Sequence, residues 1–128
     1  MAGLSVVGLG VDAVDLDRVR LALERTPSLV DRIYTPAERA YCEARRDPTE
    51  RFAVRFAAKE AALKALGIGV FRVPLTDIEV MRADSGAPSL VLVGAAAALA
   101  DDAGVAAWHL TLSHTAHTAV AVALALGG

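Results

Sequence analysis

From Thr49 to Leu66 the chain reads TERFAVRFAAKEAALKAL, a run of strong helix formers without glycine or proline, and Gly67 follows as a C-cap. A helix this well specified has to bury one face, so the rest of the fold must supply a surface for it. Projected at about 100° per residue, Phe52, Phe56, Leu63 and Leu66 fall in one stripe, which predicts the core face. Lys59 falls between Leu63 and Leu66 on that wheel, and Glu60 borders Phe56. Charges set into an apolar stripe break the binary pattern, and such breaks tend to mark functional sites. The competing reading is structural. Lys59 then snorkels outward on its aliphatic stem, and Glu60 with Lys64 forms an i,i+4 pair worth a few tenths of a kcal/mol.

The surroundings of this helix read as an α+β chain. Leu4 to Val11 is a short apolar run punctuated by Gly8 and Gly10, predicting a buried strand whose glycines let another group approach the backbone. From Asp12 to Thr26-Pro27 apolar and charged residues mix as in a short helix. Thr35-Pro36-Ala37-Glu38 supplies an N-cap, a first-turn proline and an acid for a second one. Past Gly67, Val70–Val73 and Pro74 connect to a strand over Asp77–Arg82. A turn carrying Ser85-Gly86 follows, then a returning strand over Ser89–Val93. Ala95 to Ala103 predicts a helix closed by Gly104. Trp108, Leu110 and Leu112 alternate with polar residues as in a half-buried strand. After a polar corner at Thr115–Thr118, Val120, Val122, Leu124 and Leu126 alternate with alanines in a final strand. The predicted order is β-α-α-α-β-β-α-β-β, a mostly antiparallel sheet carrying the long helix.

The 128 residues predict one domain over 1–128, and 55% hydrophobic content is enough for a core. A formal net charge of −2 gives no basic field for nucleic acid. The apolar runs Leu90–Ala100 and Ala119–Leu126 fall short of the roughly 20 residues a membrane helix needs. Cys42 is the single cysteine, which suits a reducing compartment and predicts a soluble cytoplasmic protein.

Three places carry chemistry. Asp12 leaves the first strand beside a backbone open to close approach, which suits a Mg²⁺ ligand; with Glu60 it forms the one or two protein carboxylates such an ion takes. The alternative for Asp12 is the N-cap of the helix after it. Gly8-Leu9-Gly10 does not complete a dinucleotide fingerprint, because position 13 is alanine. Ser113-His114-Thr115 places hydroxyls and an imidazole at a strand end, where they can donate to phosphate oxygens or act as a base; the same triplet is also ordinary turn chemistry.

Taken together, Gly8-Leu9-Gly10-Val11-Asp12 with Arg18, the segment Arg55-Phe56-Ala57-Ala58-Lys59-Glu60-Ala61-Ala62-Leu63-Lys64-Ala65-Leu66-Gly67, and Leu112-Ser113-His114-Thr115 resemble the holo-acyl-carrier-protein synthases, the short bacterial phosphopantetheinyl transferases. The resemblance runs over nearly the whole chain. It implies their fold and the transfer of 4′-phosphopantetheine from coenzyme A to a serine of an acyl carrier protein of fatty acid synthesis. It further implies Asp12 and Glu60 as Mg²⁺ ligands, and Glu60, Lys64 and His114 as catalytic groups. Arg55, Lys59, Lys64, Gly67, Pro88, Ser113, His114 and Thr115 would bind the coenzyme, and Arg18 and Arg25 the acidic carrier protein. Members commonly form trimers with active sites between neighbours. Two positions depart from the family's usual pattern: Ile68 stands where many members have threonine, and Ala87 where many have lysine or arginine.

Overall fold

The structure, a computed structural model, describes residues 5–70 and 72–128. Leu4, expected to open the first strand, lies outside them. The elements are β1 (Ser5–Asp15), α1 (Leu16–Arg25), α2 (Leu29–Ile33), α3 (Pro36–Glu43), α4 (Thr49–Leu66), a 3-10 turn at Leu75–Asp77, β2 (Ile78–Arg82), β3 (Pro88–Leu92), α5 (Gly94–Asp102), β4 (Val105–His114) and β5 (Thr118–Gly127). β5 lies between β1 and β4 in an antiparallel sheet, and β2 pairs with β3 as an antiparallel hairpin. The fold is α+β, as the sequence predicts.

Two features of the first third differ from the sequence reading. β1 does not stop at Val11 but runs through Asp12, which pairs with Ala121, to Asp15. The N-cap of α1 is therefore Asp15, whose carboxylate accepts from the amides of Asp17 (2.8 Å) and Arg18 (3.3 Å). Asp12 is free of that duty. The second difference is α2, too short to show a helical period. Its neighbour α3 has the expected start: Thr35 Oγ1 accepts from the Glu38 amide at 3.2 Å, and Glu38 Oε1 accepts from the Thr35 amide at 2.9 Å.

Small residues bring α4 onto the sheet. A Cβ built on Gly8 would lie 1.8 Å from the carbonyl oxygen of Ala65, and one on Gly10 1.9 Å from that of Ala61. On β5, Ala119, Ala121, Ala123 and Ala125 are fully buried. Alanines are also half of the buried residues of α4, where Ala53, Ala57, Ala58, Ala61 and Ala62 are solvent-free while Phe56 and Leu66 are only half-buried. Of the expected stripe, Phe52 and Leu63 are buried and Phe56 and Leu66 sit at its margin, while a wide alanine surface beside them lets the backbones approach closely. The larger residues of β5 face the other way: Val120, Val122 and Leu124 are half-buried, with Leu9 and Val11 of β1 exposed beside them, whereas Trp108, Leu110 and Leu112 of β4 pack on the helix side.

Candidate active site

Strand alternation fixes which side chains meet α4. Gly8, Gly10 and Asp12 share one face of β1, and Gly10 rests on Ala61, the residue after Glu60. Asp12 and Glu60, far apart along the chain, therefore converge where β1 passes α4. Lys64 joins them: its Nζ donates to Asp12 Oδ1 and to the Val11 carbonyl, both at 3.0 Å. Partial burial, and then the negative charge of Asp12, raise the proton affinity of Glu60 above the ordinary carboxyl range, with Lys64 opposing them. The i,i+4 pair is not formed; Lys64 turns across to Asp12 instead of down to Glu60.

A second cluster lies at the opposite edge of the sheet, in a cleft of about 430 Å³. Three sequence-predicted residues line it: Arg55, Pro88 and His114. His114 Nε2 is 3.2 Å from Glu50 Oε1, and Arg45 reaches the same carboxylate oxygen at 3.5 Å. Arg55 is 4% exposed, and its Nε is buried without a hydrogen-bond partner. The cleft also contains Tyr41, Arg51 and Arg82, which the sequence reading did not single out. The available signals were the arginines at 45 and 46 between two helices and a lone arginine closing β2.

The remaining expected residues are placed elsewhere. Lys59 does not line a coenzyme pocket and does not snorkel. It is fully buried, and its ammonium donates to Glu38 Oε1 at 2.7 Å and to the carbonyls of Leu75 and Ile78. All three of its protons are thereby used inside the fold. Ser113 follows the alternation of β4 and lies on the sheet face opposite His114. The Thr115 hydroxyl accepts from the amides of His117 (3.2 Å) and Thr118 (3.0 Å) and holds the β4–β5 corner, so the turn reading applies there. Gly67 caps α4 in the left-handed region at φ 70°. Arg18 and Arg25 are exposed on α1 and form no salt bridge among the described residues, whereas Arg20 pairs with Asp17 and Asp47. Arg18 borders an apolar groove formed with Val19, Leu23, Tyr34 and Phe56. Among the described residues no cluster of three or more metal-ligating His, Cys, Asp or Glu occurs, and no helix is long and apolar enough to cross a membrane.

A carboxylate pair with an attendant lysine and a separate guanidinium-lined cleft stand on one α+β frame. Residues 8–125 match the 4′-phosphopantetheinyl transferase superfamily. The holo-[acyl-carrier-protein] synthase of Streptomyces avermitilis is 44% identical over 126 residues, spanning 97% of this chain and 100% of that protein. Among solved structures, the holo-ACP synthase of Plasmodium yoelii superimposes with a TM-score of 0.88 at 29% identity, covering 98% of both chains. The enzyme of Bacillus anthracis, solved with coenzyme A (3′,5′-ADP), gives 0.81 at 33% identity over 96% of this chain and 98% of that one. The chain belongs to the 4′-phosphopantetheinyl transferase superfamily, in its holo-acyl-carrier-protein synthase group.

Proposed function

We propose that this enzyme transfers 4′-phosphopantetheine from coenzyme A to a serine hydroxyl of an apo acyl carrier protein of fatty acid synthesis, in the cytoplasm, and releases adenosine 3′,5′-bisphosphate. The observation that carries the proposal is the convergence of Asp12, Glu60 and Lys64. Two carboxylates close enough that the charge of Asp12 helps raise the proton affinity of Glu60 are fitted to share a hard divalent cation, and Mg²⁺ takes such a pair together with substrate phosphate oxygens. When bound, Mg²⁺ would supply neutralising charge to the coenzyme pyrophosphate.

The chain's own groups have distinct tasks. Glu60, with its raised proton affinity, accepts the proton of the carrier serine. The serine oxygen bonds to the β-phosphorus as the bond from that phosphorus to the bridging oxygen breaks. Negative charge then gathers on the leaving bisphosphate, and Lys64 stabilises it from the same helix. Arg55, Pro88 and His114 hold the nucleotide in the cleft. Arg18 and Arg25, exposed on α1, receive the acidic carrier protein.

One protomer does not bring these two clusters to one point. Arg55 and Lys64 are nine positions apart on α4, which at about 100° per residue sets them on opposite sides of the helix. Asp12 lies on one edge strand and His114 on the other, with β5 between them. The open sheet face bears Leu9, 64% exposed, Val11, 55% exposed, and the outward side chains of β5. These features support a homotrimer in which neighbours cover that face and pair the acidic cluster of one subunit with the cleft of the next.

The test is to incubate the protein with coenzyme A, Mg²⁺ and apo carrier protein and to weigh the carrier by mass spectrometry. Gain of one phosphopantetheine per carrier supports the proposal. Cleavage of coenzyme A without a carrier would indicate a hydrolase instead. Binding of carriers with no mass gain would indicate a docking module.

A further inference from the structure

Lys59 and Glu38 are buried ionisable groups that take no part in the transfer reaction. Apolar residues of the same volume fill a core as well as such a pair, or better. A carboxylate supplies what they lack, directional bonds of fixed length. Glu38 uses both of its oxygens. Oε1 accepts from Lys59 Nζ at 2.7 Å and from the Thr35 amide at 2.9 Å, and Oε2 accepts from the buried Val80 amide at 2.8 Å. One side chain of α3 is thereby bonded to α4 and to β2. Thr35, the N-cap of α3, adds a parallel link, its hydroxyl donating to Glu79 of β2. Only Glu38 and Cys42 are buried on α3, and Cys42 packs with Tyr34 and Phe52. Glu38 is therefore the inward contact of α3 toward β2.

The same three elements wall the cleft. Tyr41 stands three positions after Glu38 on α3, and Arg55 four positions before Lys59 on α4, so each pair shares a helix face one turn apart. Arg82 stands two positions after Val80, on the same face of β2. Every group joined in the interior is thus one helical turn or one strand repeat from a residue lining the cleft. The cleft residues meet closely: the guanidinium carbons of Arg55 and Arg82 lie 4.1 Å and 5.4 Å from the centroid of the Tyr41 ring. Any change in how α3 sits against α4 or β2 moves Tyr41 relative to both.

We propose that Glu38 is a positioning residue for the coenzyme: by holding Lys59 and the Val80 amide at fixed distances from α3, it sets the spacing of the cleft walls that bear Tyr41, Arg55 and Arg82. This rests on the reading above, in which the cleft holds the nucleotide. Glu38 touches no substrate and acts through the elements it joins. Small displacements of a binding wall are costly to a ligand even when their origin is remote.

The test combines initial rates of carrier modification with titration calorimetry of adenosine 3′,5′-bisphosphate, for wild type, Glu38→Gln and Thr35→Val. Glu38→Gln keeps the volume but removes the charge facing Lys59 and one acceptor oxygen. It should raise KM for coenzyme A and Kd for the bisphosphate about tenfold, with kcat and KM for the carrier unchanged. Thr35→Val leaves the buried pair intact and removes the hydroxyl bonded to Glu79. It should move the same two constants roughly threefold, the scale of one hydrogen bond, and it decides the matter if Glu38→Gln does not fold. Loss of folded protein alone lowers kcat and binding stoichiometry and leaves KM and Kd where they were. That pattern overturns the inference, as does a rise in KM for the carrier equal to that for coenzyme A. Wild type that modifies carriers while the folded variants match it in both constants overturns the inference and keeps the transferase reading. Wild type whose bisphosphate binding is weakened by Glu38→Gln, but which modifies no carrier, sustains the inference and overturns the transferase reading.

Discussion

Lys64 spans from α4 to β1, with its Nζ 3.0 Å from Asp12 Oδ1, although Glu60 stands one turn away on the same helix. The lysine therefore offsets charge on the strand carboxylate and only partly relieves the helix carboxylate. Glu60 keeps a raised proton affinity, set first by burial and then by Asp12.

A stability signature follows from that shift. A carboxyl whose folded pKa is raised contributes stability that is present below its ordinary value of 4.5 and lost as pH rises through the raised one. Metal-free Glu60→Gln should therefore melt above wild type at pH 7–8, with the difference closing near pH 4. Because Glu60 is half-exposed, screening limits the gain to about 0.5 kcal/mol, a few degrees at most for a chain of this size. Mg²⁺ should raise the melting temperature of wild type and leave the variant unmoved. Scanning calorimetry across pH, with and without Mg²⁺, checks both signs.

Lys59 and Glu38 are 21 positions apart and meet as a solvent-free pair at 2.7 Å, joining α4 to α3. Lys59→Met would leave the Glu38 carboxylate buried without its cation, at a cost of about 3–5 kcal/mol. Adding Glu38→Gln should recover part of that loss. Denaturant melts measure it. A coenzyme ligand would behave differently, with KM raised and stability unchanged.

Gly10→Ala forces a methyl to within 1.9 Å of the Ala61 carbonyl oxygen, a backbone atom that no rotamer change can move aside. The helix must lift from β1, and the expected loss is about 3 kcal/mol, at the upper end for overpacking. Activity should fall as well, since the same contact sets Asp12 against Glu60. Chemical denaturation and the transfer assay on one preparation report both.

Active sites shared between subunits predict complementation. Glu60→Gln and Arg55→Ala each disable one half of every site. Unfolded together and refolded as mixed oligomers, they should regain a fraction of wild-type rate, because some interfaces then join two intact halves. Separately refolded samples combined afterwards should stay inactive. Sites confined to one protomer give no recovery in either case.

The sequence made the long helix, its glycine cap and the approach at Gly8 and Gly10 legible, because each depends on residues adjacent in the chain. Asp12 and Glu60 were legible as candidates but not as neighbours; their meeting depends on the register that places Gly10 on Ala61. Three features had no local signal. The burial of Lys59 depends on Glu38, on another helix. The inward face of β5 is its alanines, because α4 comes too close for valine or leucine there. Tyr41 and Arg82 gain meaning only from each other, across 41 residues of chain.

The most direct measurement of the central claim is the initial rate of carrier modification against Mg²⁺ concentration for wild type, Asp12→Asn and Glu60→Gln. The account predicts a saturable Mg²⁺ dependence for wild type and losses of about 100-fold or more in both variants, on the scale of one general acid–base or charge-stabilising group. Wild-type rates and an unaltered Mg²⁺ response in either variant would contradict it.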